Sequence, residues 1–359
     1  MQEKIFRSVI QDFLTEKGYT YSLIGHSHVL TESRRGFKAD CNLLKSGTAL
    51  RDISAFSTLE IKGEDTLDFL NRITTNDLKN LRPGECRRTI FCSDKGRIID
   101  SVLVVNEGTR FLLFGSAGSS DKLNRWINRY IIADDVVVKD ITGALGALEI
   151  YGPQAQTAII LLSGIKDEEP NRIYNFEFEE RIYSLIKYRF AGKIDRYLVY
   201  SEPRGFERLA SFASGYEGPF NIDFVSEDAI KSMNVGLVTP GEAELTDLFN
   251  PHEARLLDEV SFKKGCYIGQ EVIARLDTYD KVQKLLTQFE LENGIPQELP
   301  APLFDSEGKE AGVLTTISPA EAAKGSIALG FVRKSHLQTG NKLFIGGPAS
   351  KIIATVKEL

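Results

Sequence analysis

The sequence predicts an α+β fold of more than one unit, a mixed α/β core followed by a small C-terminal β-barrel. Three observations predict it. The 359 residues exceed what a single hydrophobic core usually serves. Between about residues 42 and 280, helical and strand periodicities are interleaved without a fixed repeat. From Lys284 onward, short β-rich runs over 285–291, 311–317, 327–332, 342–345 and 351–356 alternate with Gly and Pro turns, the spacing of a small barrel. The expected division is 1–41 as a helical extension packing on the core, 42–280 as the core, and 281–359 as the barrel.

Taken in order, Phe6, Ile10, Phe13 and Leu14 share one face at helical spacing, so the extension reads as a helix and a polar connection. Leu59-Glu60-Ile61 alternates as a strand, Gly63 turns it, and Leu67, Leu70 and Ile73 mark an amphipathic helix. Leu81-Arg82-Pro83-Gly84-Glu85 supplies a turn. Residues 88–91 and 97–105 then read as two strands of a hairpin around Ser93-Asp94-Lys95-Gly96. Residues 121–132 read as a helix burying Leu123, Trp126, Ile127 and Tyr130, and 136–138 as a short strand. Pro296, Pro300 and Pro302 mark connections near the first strands of the barrel.

Composition narrows the function. With 42% hydrophobic and 26% charged residues the chain has ample material for a packed core. Its longest apolar runs, 158–162 and 102–105, fall far short of the roughly 20 residues that cross a bilayer, so no membrane span is expected. Glu3 and Asp12 near the start, with no hydrophobic signal core, point to a cytoplasmic location. The net charge is −6 and the basic pairs Arg34-Arg35, Arg87-Arg88 and Lys263-Lys264 are local, which disfavours broad nucleic-acid binding. Among the four cysteines there is no CxxC, and Cys41, Cys86 and Cys92 read as small buried hydrophobes. His26 and His28 are expected on one strand face, but two imidazoles without a third ligand assign no metal site.

The segment 262–275 carries the most chemistry. Val272, Ile273 and Leu276 form an apolar face and Glu271 and Arg275 stand four apart, so its second half reads as a helix with Cys266 near the start. The positive end of that helix, with Lys263 and Lys264, favours a thiolate if the site is wet. The competing structural reading is a cysteine that merely fits beside Gly265. Lys264-Gly265-Cys266-Tyr267-Ile268-Gly269-Gln270-Glu271 resembles the K-G-C-Y-x-G-Q-E signature of YgfZ-type folate-binding proteins, themselves similar in fold to the glycine-cleavage T-protein, an aminomethyltransferase. The likeness continues through 50–54, 61–65, Thr75-Asn76-Asp77 and Lys95-Gly96-Arg97-Ile98-Ile99-Asp100.

The resemblance implies a folate-binding core of two interlocked α+β subdomains, with tetrahydrofolate or a one-carbon derivative as cofactor. Asp100 matches the T-protein aspartate that faces the reactive nitrogen of folate; its bland reading is an exposed carboxylate at a strand edge. The implied reactive pair is Cys266 and Asp100, sharing a central cleft. Asp100, Asn76, Lys264, Gly265, Tyr267, Gly269, Gln270, Glu271 and Arg275 are the implied cofactor-binding residues. Two positions depart from the T-protein pattern: Ser101 replaces a second aspartate, and Arg189 to Tyr197 lack the glutamate of its G-Y-T-G-E stretch. The implied function is a folate-dependent accessory factor for iron–sulfur cluster assembly or repair. Its partners would be iron–sulfur enzymes or assembly proteins, since four cysteines without a cluster motif do not hold a cluster themselves. The alternative is a folate-dependent aminomethyl or one-carbon transferase. A flavin-linked reading is set aside because Gly115 to Gly118 lacks dinucleotide-binding spacing.

Overall fold

Strand β4 shows why the core forms: six of its seven side chains, Phe56 through Ile61, are buried, so the strand is covered on both faces. The computed structural model describes residues 4–319 and 326–357; residues 1–3, 320–325 and 358–359, which the expected extension and barrel include, lie outside the described residues. Two compact units result. One comprises residues up to Phe91 together with Asp100–Ile230, and the other comprises Cys92–Ile99 together with residues from Lys231 on.

The first unit begins with a short helix, α1 (Gln11–Glu16). Phe6, expected on its face, makes a parallel bridge to Ser27 instead. The stretch expected as a polar connection is a hairpin, β1 (Thr20–Ile24) and β2 (Ser27–Glu32), followed by α2 (Phe37–Ser46). Burial of Tyr19, Val29 and Leu30 outweighs the polar composition around them. His26 falls in the turn before β2, so the two imidazoles do not share a strand face; His28 Nδ1 lies 3.2 Å from Gln11 Nε2.

Next come β3 (Thr48–Asp52), β4 (Phe56–Lys62) and α3 (Thr66–Ile73). Gly63 makes the predicted turn with φ +130°, and a Cβ there would stand 1.8 Å from the Asp135 carbonyl oxygen. Strands β5 (Cys86–Cys92) and β6 (Ile98–Asn106) are the predicted hairpin, followed by β7 (Phe111–Ala117). Helix α4 (Ser120–Asn128) stops short of the predicted end, buries Leu123 and Ile127, and leaves Trp126 and Tyr130 half-buried against each other at 4.7 Å. The unit continues with β8 (Val137–Asp140), β9 (Gly146–Tyr151), α5 (Ala155–Ser163), β10 (Ile173–Phe178), β11 (Arg181–Phe190), β12 (Ile194–Ser201), α6 (Phe206–Ser214) and β13 (Ile222–Phe224). Helix α7 (Glu227–Leu237) follows.

These strands make two sheets, ordered β5-β6-β7-β4-β8 and β10-β11-β12-β9-β3-β13. One face of the six-stranded sheet is apolar: Tyr183, Leu185 and Val199 pack with Ala158 and Ile159 of α5 and with Phe206 and Leu209 of α6. Register decides the other face. Tyr188 stands opposite Arg196, Leu198 opposite Glu149, and Glu149 opposite Arg51. Because side chains alternate with period two, Tyr188, Arg196, Tyr151, Glu149 and Arg51 all project from that second face.

In the second unit, α8 (Gln270–Thr278) precedes β14 (Lys284–Glu292), β15 (Ala301–Phe304), β16 (Glu310–Ile317), β17 (Ser326–Arg333), β18 (Lys342–Ile345) and β19 (Ile353–Val356). They close as a barrel in the order β14-β17-β16-β15-β18-β19 around Phe289, Leu303, Leu314, Val332, Leu343 and Val356. The predicted barrel is present with one strand more than periodicity showed. Pro302, expected in a connection, lies inside β15, where its carbonyl still accepts the Gly346 N–H at 2.9 Å. No helix among the described residues is long and apolar enough to cross a membrane.

Candidate functional site

The segment Lys264 to Glu271 lies in the second unit. Cys266 is exposed in an extended loop before Gly269, the residue that precedes α8. Gly269 has φ +82°, and a Cβ on it would meet the Ser93 carbonyl oxygen at 2.5 Å; a Cβ on Gly96, at φ +65°, would meet Val272 at 3.2 Å. The hairpin tip 93–97 thus rests on the start of α8, and glycine is required on both sides of the contact. Gln270 holds the loop to the helix: its N–H donates to the Tyr267 carbonyl at 3.2 Å and its Oε1 accepts the Tyr267 N–H at 3.4 Å. Tyr267 is buried with Lys264 Nζ 5.1 Å from its ring centroid, and burial, then Cys92, push its phenol up so that it stays neutral. Ile273 is buried, and its carbonyl lies 2.9 Å from His252 Nε2. Gly265, Glu271 and Arg275 are exposed.

Gly269→Ala is expected to destabilise the second unit by about 2 kcal/mol, through both the φ and the close approach, as read by a lower urea midpoint. The cysteines should separate in a timed iodoacetamide reaction. Cys266 alkylates in the native protein, whereas Cys86, pushed up to about 12 by burial, reacts only on unfolding. Cys92, fully buried, behaves like Cys86. Cys41 is half-buried rather than buried as expected, because α2 turns it partly outward.

Asp100 belongs to the first unit. It is not an exposed carboxylate at a strand edge: it is the third residue of a continuous β6, as the strand expected over 97–105 implies, and it is 1% exposed. Oδ1 accepts the Ser101 N–H at 2.9 Å and the Ser116 hydroxyl at 2.7 Å; Oδ2 accepts the Ser116 N–H at 3.1 Å and the Ser119 hydroxyl at 2.6 Å. Space for this carboxylate exists because residue 115 is glycine, where a Cβ would lie 2.7 Å from Oδ2. Ser101, the departure noted in the sequence, accepts a hydrogen bond from Arg88. Asn76, in the bend after α3, bonds to β5: its N–H donates to Thr89 Oγ1 at 2.9 Å, its Nδ2 to the Arg88 carbonyl at 2.8 Å, and its Oδ1 accepts the Asp77 N–H at 2.9 Å. Asn76 and Asp100 are thus joined through Arg88 and Ser101, and Asn76 is held by two backbone groups and the Thr89 hydroxyl. Ser116 and Ser119 were not singled out in the sequence, where Gly115-Ser116-Ala117-Gly118-Ser119 reads only as a small-residue turn.

The second face of the six-stranded sheet adds a cluster that the sequence reading missed. Arg51 grips Glu227 with both ends of its fork, at 2.7 and 2.6 Å, and reaches Glu149 at 3.1 Å. Glu149 also accepts the hydroxyls of Tyr151 and Tyr188. Arg196 Nη1 stands 3.6 Å from Glu149 Oε1, with its guanidinium over the rings of Phe190 and Tyr151 at 4.7 and 5.2 Å. Burial opposes the charge on Glu149, but Arg196, then Arg51, then the two phenols outweigh it and hold the carboxyl at about 2. Arg88 lies over the Phe190 ring at 4.3 Å, so the five-stranded sheet contributes to the same surroundings. The only sequence signal was a charged residue amid strand-forming apolar runs, as in Ala147-Leu148-Glu149-Ile150-Tyr151.

Comparison with solved proteins decides the architecture. The crystal structure of the glycine cleavage system aminomethyltransferase T from Bartonella henselae superposes with a TM-score of 0.83 at 18% identity, covering 99% of this chain and 98% of that one. The chain has the GcvT-like fold. The family model for the GCVT N-terminal domain matches residues 13–190 of the GcvT-like chain. A chloroplastic Arabidopsis thaliana protein named as a transferase is 28% identical over 322 residues, 88% of this chain and 72% of that protein. The aminomethyltransferase of Staphylococcus haemolyticus is 24% identical, over 86% of this chain and 85% of that protein. That of Listeria welshimeri is 26% identical, over 89% and 88%.

Proposed function

We propose that this GcvT-like chain binds tetrahydrofolate and transfers an aminomethyl-type one-carbon unit, with Asp100 directing the proton at the reacting nitrogen. The observation that carries the reading is the serine cage around Asp100. A carboxylate has about four acceptor positions, and here four donors occupy them. The Ser119 hydroxyl has a single proton and two acceptors in reach, Asp100 Oδ2 at 2.6 Å and the Ser116 carbonyl at 3.0 Å. Swinging it to the carbonyl frees Oδ2 for an N–H of a ligand without moving the backbone. The aromatic and guanidinium groups of the neighbouring cluster suit a flat heterocycle, so the residues present fit the cofactor. When bound, tetrahydrofolate supplies the nitrogen that carries the one-carbon unit. Ser116 and Ser119 orient Asp100, and its burial keeps water from competing for the same proton.

A second reading is favoured by a different observation, the exposed Cys266 within the KGCYIGQE string. Here the protein is the folate-dependent accessory factor for iron–sulfur enzymes, and the thiol is its working group. Tetrahydrofolate binding by wild type, Asp100→Ala and Cys266→Ala, alongside rescue of iron–sulfur enzyme activity in a strain lacking the protein, separates the two. A transferase loses turnover of a one-carbon donor with Asp100→Ala and tolerates Cys266→Ala. An accessory factor loses rescue with Cys266→Ala while its folate binding persists. Absence of folate binding by the wild type overturns both.

A further inference from the structure

Arg196 is 5% exposed, and its Nε has no hydrogen-bond partner among the described residues. Buried polar groups in proteins are ordinarily paired, and a guanidinium can only donate. The neighbouring carboxylate does not meet that need. Glu149 Oε1 stands 3.6 Å from Nη1, and both Glu149 oxygens already accept stronger bonds, from Tyr188 on one side and from Tyr151 and Arg51 on the other. Stacking on Phe190 and Tyr151 uses the faces of the guanidinium and leaves its in-plane N–H edge for an acceptor. A buried donor edge among aromatic rings is complementary to a flat ring that carries a carbonyl.

We propose that Arg196 is a specificity-determining residue that donates to the carbonyl-bearing edge of the bound heterocycle, so that the site selects 4-oxo over 4-amino pteridines. This rests on the folate reading above and deepens it. A 4-oxo ring presents an acceptor to the guanidinium. A 4-amino ring presents a donor at the same position, which leaves the buried N–H unpaired and sets two donors against each other. Glu149, itself held by Arg51, stands 3.6 Å from Arg196 Nη1 and keeps it in place; neither residue takes part in the selection.

The test is equilibrium binding by calorimetry, with tetrahydrofolate and its 4-amino-4-deoxy analogue as probes, to the wild type and to Arg196→Gln and Arg196→Lys. The wild type is expected to prefer the 4-oxo compound by on the order of 10–100-fold. Arg196→Gln, whose amide both donates and accepts, brings that ratio close to one, chiefly by weakening the 4-oxo compound; Arg196→Lys retains part of the preference. Equal affinity of the wild type for both compounds overturns the inference without any variant, and leaves the folate reading standing. An unchanged ratio in a folded Arg196→Gln, verified by circular dichroism, does the same. If the wild type binds neither compound, the folate reading and the inference both fall.

Discussion

Glu149→Ala is expected to destabilise the first unit by about 3–5 kcal/mol, the range seen when one member of a buried charge network is removed. The reason is what stays behind. Arg51 keeps Glu227, but Arg196 loses the carboxylate paired with it, and the Tyr151 and Tyr188 hydroxyls lose their acceptor. Glu149→Gln keeps the volume and removes the charge, so its loss is expected to be smaller but still on the order of 2 kcal/mol. The same network predicts an acid-limb signature. The folded carboxyl is held at about 2 against an ordinary value of 4.5. A group with a depressed folded pKa stabilises fully above its unfolded value and loses that contribution as pH falls toward the folded one. Wild-type stability should therefore drop between about pH 4.5 and 2, by roughly 3 kcal/mol from this group at ~1.4 kcal/mol per pKa unit. In Glu149→Gln that part of the slope should vanish. Parallel urea titrations of the two proteins at pH 6, 4 and 3 check it, and identical acid slopes would refute the assignment.

The second large effect is expected at Asp100. Asp100→Ala should reduce one-carbon transfer by about 10²–10⁴-fold, the usual contribution of a positioned acid–base group. It should also lower stability by about 2 kcal/mol, because the Ser101 and Ser116 N–H groups lose their buried acceptor. Stability and activity can be pulled apart at Gly115. Its missing Cβ makes room for Oδ2, so Gly115→Ala presses on the carboxylate without removing it. Transfer should fall while acid–base capacity remains in the site, which single-turnover kinetics reads directly. Full activity in Gly115→Ala would show that the placement of Asp100 does not matter to the chemistry.

These two sites differ in how far they could be read from the chain. Asp100 was found because it closes the Lys95-Gly96-Arg97-Ile98-Ile99-Asp100 string, yet its setting was misjudged. An aspartate in that place reads as an exposed carboxylate at a strand edge, whereas it is buried within the strand, because Gly115, Ser116 and Ser119 provide both space and donors. Arg51 and Arg196 fall within the stretches 50–54 and 189–197 compared with the T-protein pattern, but neither they nor Glu149 stand out from the chain as site residues. Glu149 is the single charge of β9, while Arg51 and Arg196 each adjoin an aspartate, Asp52 and Asp195, in their own strands, and such charges in a strand ordinarily mark solvent-facing positions. The N-terminal hairpin was missed for the opposite reason: its residues are polar, and the few buried anchors, Tyr19, Val29 and Leu30, do not form a periodic run.

Local order was legible from the residues alone. The strand, Gly63 turn and helix over 56–73, the hairpin around 93–96, the helix after Gly269 and the run of short barrel strands all announce themselves, since periodicity and turn chemistry report on neighbours a few positions away. Tertiary structure alone decided which charges meet. Arg51 and Glu149 are separated by 98 positions, and Asp100 finds its serines 16 and 19 positions on. Strand order and register across β11, β12, β9 and β3 put Arg51, Glu149 and Arg196 on one face. A pairing register is set by the collective fit of the whole sheet, so no single segment carries it.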